Sequence, residues 1–170
     1  MKHHSACAYL RAAVIVTLVL AVGAIEVAAE SPHDGVALSG LKHVKVAFDM
    51  TNGDAKALLN QLTVIGETRD SLIKQGVTPE FVIAFRGPAT RLVQTDLEKI
   101  KVEDRNLASK IAAKVNELSK ANGVVIQQCS VAVRQQDVKP ENVLPVITVI
   151  GNSWISLMAY QTKGFAYIHP

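Results

Sequence analysis

The chain is predicted to fold as an α/β domain, a mostly parallel sheet covered by helices on both faces. Three observations carry this. "EFVIAF", Glu80–Phe85, is a compact apolar run of the kind found in strands buried on both faces. Leu58, Leu62, Ile65 and Leu72 recur at helical spacing. Turn and cap residues separate segments of the two kinds, so strands and helices alternate along the chain.

The elements follow in order. "SPHDGVALSG" at 31–40 reads as part of a flexible lead-in over 30–41, and the folded domain is expected over 42–170. "HVKVAF" at 43–48 alternates and then turns apolar, which predicts a first strand. In "TNGD", Asn52 and Gly53 supply turn chemistry and Asp54 a helix N-cap. The amphipathic helix this starts runs over 55–74, with Gly76 placed to end it. After the second strand, "RGPATRLV" reads as a Gly-Pro loop entering a short helix. The polar stretch 101–106 is a surface connection, and Leu107, Ile111, Val115 and Leu118 mark a helix closed by Asn122-Gly123. "VVIQQ" is a third strand and 130–136 a short helix. "PVITVIG" at 145–151 is a fourth strand, "NSWISLMAYQTKG" a helix ending at Gly164, and "FAYI" a last short strand. Trp154, Met158 and Tyr160 are expected in the core or at a subunit interface. Strand order is not readable from this pattern.

The N-terminus reads as an export signal. Lys2 and Arg11 precede the uncharged run "AAVIVTLVLAVGAI", and small residues follow in "EVAAES". Cleavage is expected after Ala29, with Ala24 as the second choice and an uncleaved anchor as the alternative. Export to the periplasm follows, with no membrane association after cleavage. Loss of residues 1–29 removes Lys2, Arg11 and Glu26, leaving 16 basic and 14 acidic residues, a net charge of +2. That balance provides no basic footprint for nucleic acid.

The same cut removes Cys7 and leaves Cys129 alone, so disulfides do not hold the fold together. A single thiol in an oxidising compartment points to a reactive group or an intermolecular partner; the alternative is an inert buried cysteine. Position favours reactivity. Ligands of open α/β sheets bind beyond the carboxyl ends of the strands, and Cys129 ends the third strand where a helix begins. Unpaired N–H groups and the helix dipole favour thiolate there. Arg86 and Gly87, at the end of the second strand, are candidate binding residues, with Arg86 able to add positive charge if the strands are neighbours. Asp49 and Asn52, after the first strand, are further candidates. Each has a plainer alternative: a solvated arginine, a structural acid and a turn asparagine. His33, His43 and His169 lack metal-ligand spacing, and there is no glycine-rich phosphate loop or nucleophile elbow, so no metal or cofactor is expected.

Three segments, in order and spacing, resemble the DsrE/DsrF-like family of small sulfur-relay proteins: "FVIAFRGPATRLV", "GVVIQQCSVAVRQQDV" and "VLPVITVIGNSWISLMAYQTKGFAYI". The resemblance covers nearly the whole mature chain. It implies a three-layer α/β/α sandwich with a five-stranded, largely parallel sheet, and assembly into trimers, hexamers or mixed oligomers. It further implies that Cys129 accepts and passes on sulfane sulfur as a persulfide, exchanging it with a donor or acceptor protein. Arg86-Gly87-Pro88 is carried over as a loop lining the pocket. The chain departs from the family pattern in its export signal and in Gln136-Asp137, where relay members usually have a glycine. The runner-up function is a non-catalytic oligomeric module that binds a small ligand or a protein segment and has an inert cysteine.

Overall fold

The computed structural model describes residues 32–170; the expected signal peptide, residues 1–29, lies outside the described residues. The strands are β1 His43–Met50, β2 Thr78–Phe85, β3 Val124–Cys129, β4 Thr148–Ile150 and β5 Ala166–Ile168. The helices are α1 Ala55–Lys74, α2 Arg105–Ser119, α3 Ser130–Gln135 and α4 Ser153–Thr162. All strand pairs are parallel, in the order β4-β3-β2-β1-β5. The predicted α/β class and its five strands are what the chain forms.

Strand order explains the layers. From β1 the chain steps to β2, β3 and β4 in one direction across the sheet, then returns past all of them to β5. Parallel crossovers keep one hand, so a reversal of direction moves the connecting helix to the opposite face. The first face accordingly carries α1 and α2. Leu58, Leu62, Ile65, Ile111 and Val115 pack there against Phe48, Met50, Phe81, Ile83 and Phe85. The second face carries α4, the one helix there among the described residues, with Leu157 buried against Ala47, Val82 and Ala84. Ser156 ties that helix to β3 by donating to Gln127 Oε1 at 2.6 Å.

α1 begins and ends where its signals stand: the Asp54 carboxylate accepts from Ala57 N at 2.7 Å, and Gly76 follows with φ +77°. The expected lead-in is wound into turns over 35–40, and Asp34 N donates to Gln75 Oε1 at 2.8 Å. Three expectations change. β1 runs past Phe48 to Met50. β4 is confined to Thr148–Ile150, because Pro145 and Val146 form a turn closed by Ile147 N donating to Leu144 O at 2.9 Å. The helix expected after β2 is a 3-10 turn, Gly87–Leu92, with Pro88 at its start.

Candidate active site

Cys129 closes β3 and occupies the N-cap position of α3. Its neighbour β4 pairs Ile150 with Cys129 and leads into α4. α3 leaves for the first face and α4 for the second, so adjacent strands send their chains to opposite sides of the sheet. Such a divergence opens a crevice at the carboxyl edge of a parallel sheet, the usual position of ligand sites in this architecture. Ser130 Oγ bridges its floor by donating to Gly151 O at 2.7 Å.

A cavity of about 230 Å³ occupies the crevice, lined among others by Arg86, Gly87, Cys129, Asn152, Ser153 and Trp154. That is the volume share of roughly seven or eight waters, room for a small molecule or the tip of a larger one. Cys129 is only 4% exposed, and this cavity is what its side chain borders. Asn152 caps α4, its Oδ1 accepting from Trp154 N at 2.9 Å. Ser153 N donates to Cys129 Sγ at 3.4 Å. The sulfur therefore lies between the first turns of two helices.

Burial raises the thiol pKa, but the Ser153 hydroxyl and N–H, with the Ala132 and Val131 N–H groups, outweigh it and hold the pKa below its ordinary value. Ser153 is also 1% exposed, and its hydroxyl has no hydrogen-bond partner. A buried donor left unpaired carries a desolvation cost that an anionic sulfur would relieve.

Behind the cavity lies an ion pair. Arg86 donates to Asp49 in bidentate fashion, Nε to Oδ1 at 2.7 Å and Nη2 to Oδ2 at 2.6 Å. Tyr167 Oη donates to the same Oδ2 at 2.6 Å. Asp49 is 1% exposed and Arg86 27%, so the acid is the inner partner and the guanidinium the outer. Arg86 Cζ lies 5.9 Å from the centre of the Trp154 ring, within reach of a cation–π contact. The Asp49 hydrogen bond, set against partial burial, raises the Arg86 pKa and keeps it cationic.

Of the residues singled out from sequence, Cys129, Arg86 and Gly87 line one cavity. Gly87 has φ +55°, a backbone that a side chain would strain, and the 3-10 turn starts there. Asp49 reaches the site only through Arg86. Asn52 is spent on its own turn, its Oδ1 accepting from Asp54 N at 3.0 Å, and does not line the cavity. Trp154 and Met158 are 63% and 59% exposed, so the core position open to them in sequence is not theirs. Asn152, Ser153, Trp154 and Tyr167 were not among the predicted site residues. Among the described residues no cluster of three or more metal-ligating side chains occurs, and no helix is long and apolar enough to cross a membrane.

No protein-family model matches the chain. An uncharacterized protein of Aquifex aeolicus (strain VF5) is 29% identical over 125 residues, 74% of this chain and 55% of that one. The chain thus spans about half the length of the curated relative it matches. Among solved structures it is similar to a protein of unknown function, MTH1491, from Methanobacterium thermoautotrophicum. The TM-score is 0.59 and the identity 19%, covering 75% of this chain and 99% of that one. Likeness at that identity is a likeness of fold.

Proposed function

We propose that the protein is an exported, periplasmic sulfur-handling protein of the DsrE/DsrF kind, in which Cys129 carries sulfane sulfur as a transient persulfide. The observation that supports it most is the sulfur's position, between two helix N-termini and against a cavity lined by a cation. In the step proposed, the Cys129 thiolate attacks the outer sulfur of a donor R–S–SH. The donor's S–S bond breaks, R–S⁻ leaves with the electron pair, and Cys129–S–SH remains. An acceptor thiolate reverses the exchange. No oxidant is consumed and no second cysteine is needed, which suits a mature chain with one thiol. Intact-mass measurement after polysulfide treatment tests this. A gain of about 32 Da, one sulfur atom, is expected on the wild type and not on Cys129→Ser. An unmodified folded protein would reject the reading.

The homo-oligomer belongs to the same proposal. The outward side of α4 carries exposed Trp154, Ile155 and Met158, a partner-facing composition. The 4% exposure of Cys129 favours a second reading, a non-catalytic oligomeric module that binds a small ligand or protein segment. Under it, Cys129→Ser keeps binding and assembly, and the polysulfide adduct never forms.

A further inference from the structure

The cavity beside Cys129 is electrically one-sided. Arg86 is the one charged side chain among its lining residues. A cavity of about 340 Å³ elsewhere on the molecule differs: Arg91, Lys99 and Lys101 share its lining with Asp104 and Asp137. The carboxylate paired with Arg86, Asp49, is buried and does not line the cavity beside Cys129. Its oxygens are occupied by Arg86 and by Tyr167. Arg86 spends its Nε–H and one Nη2–H on Asp49, with the Tyr167 hydroxyl a further polar neighbour, and is left with N–H groups beyond those two. The bidentate grip of Asp49 fixes the plane of the fork. The Ser153 hydroxyl, buried and without a hydrogen-bond partner, is on the same lining and serves the Cys129 sulfur.

We infer that this cavity selects sulfur donors that carry a negative charge, with Arg86 recognising the charge and Asp49 and Tyr167 acting as positioning residues that aim it. This rests on reading Cys129 as an attacking thiolate. A thiolate in open water repels an anionic donor. An oriented guanidinium, its counter-ion screened behind it, offsets that repulsion where donor and sulfur meet.

Two thiosulfonate reagents of similar size and opposite charge test it: 2-sulfonatoethyl and 2-trimethylammonioethyl methanethiosulfonate. With either, the Cys129 thiolate attacks the sulfenyl sulfur, the S–S bond breaks, and methanesulfinate leaves with the electron pair. A mixed disulfide remains, countable by intact mass. The readout is the ratio of anionic to cationic rate constants, divided by the same ratio for a small free thiol. For the folded wild type that normalised ratio is expected near tenfold, the effect of one partly screened charge, and it should fall as salt is raised. In Arg86→Gln combined with Asp49→Asn, which leaves no buried charge unpaired, it should return to within about twofold of unity. Tyr167→Phe should lower it part of the way in a protein that still folds, a change that lost packing alone would not produce. A wild-type ratio at or below one overturns the inference whether or not the double variant folds. A raised ratio unchanged in a folded double variant overturns the role of Arg86. Reaction without charge preference leaves the carrier reading standing; no reaction with either reagent overturns both.

Discussion

Arg86→Gln is the substitution whose cost the structure specifies most closely. Asp49 is 1% exposed, and its two oxygens receive two N–H bonds from Arg86 and one O–H bond from Tyr167. Removal of the arginine leaves a buried carboxylate with a single hydroxyl donor. Breaking a buried pair from one side costs about 3–5 kcal/mol, most of it the desolvation of the stranded charge. The arginine is itself 27% exposed, so water enters the space it vacates, and the lower end, about 3 kcal/mol, applies. For a domain of this size that is a fall in Tm of about 10 °C.

Asp49→Asn should behave differently, because the charge left behind is the one nearer solvent. It keeps one acceptor for Arg86 and loses part of the charge assistance, a cost of about 1–2 kcal/mol. The double variant removes both charges and should lie near Asp49→Asn, not at the sum of the single changes. The resulting coupling, about 2 kcal/mol or more, is the signature of the pair. Urea unfolding of the four proteins measures it, with Trp154, the chain's only tryptophan, as a fluorescent reporter 5.9 Å from Arg86. The slopes should be equal. Additive single effects, or an Arg86→Gln loss below about 1 kcal/mol, would show that the acid is not held as described.

Three further outcomes are expected. The alkylation rate of Cys129 against pH should have its midpoint below the ordinary 9.0 of a thiol, and Ser153→Ala, which removes the hydroxyl, should move it upward. Because the folded value is the depressed one, this group's contribution to stability is present above pH 9.0 and is lost as pH falls through the folded value. Tyr167 is raised from 10.0 by its hydrogen bond to Asp49, by burial and by the Asp49 charge. Its contribution is therefore present below pH 10.0 and is lost as pH climbs through the raised value, so Tyr167→Phe should flatten the alkaline fall in Tm. Trp154→Glu with Met158→Lys should lower the mass of any assembly in light scattering while leaving the Tm of the monomer within a few degrees.

The parts of this fold that were legible in sequence are those with local causes. α1 runs over Ala55–Lys74 as predicted, because its cap, its leucine period and its terminal glycine all lie within the segment. β1, predicted to end at Phe48, continues through Asp49 to Met50, since pairing with β2 extends to Phe85 and sustains it. β4 was read too long because "PVITVI" is apolar throughout, and only its pairing with Gln127, Gln128 and Cys129 shows where ladder replaces turn. The same division runs through the site. Cys129, Arg86 and Gly87 stood out because each follows an apolar strand. Nothing local marked Ser153, which reaches the sulfur only because β4 pairs beside β3, or Tyr167, which meets Asp49 only because β5 pairs beside β1.

Trp154 and Met158 point outward for a related reason. α4 makes the return crossover, so among the described residues it has the second face to itself and no neighbouring helix covers its outer side. That same reversal separates α3 from α4 and opens the crevice between their first turns. Cys129 owes to it both the N–H of Ser153 and the cavity it faces. Had the chain continued past β4 in its original direction, α4 would have packed with α1 and α2 on the first face. The sulfur would then have ended an ordinary strand, facing the first turn of a single helix.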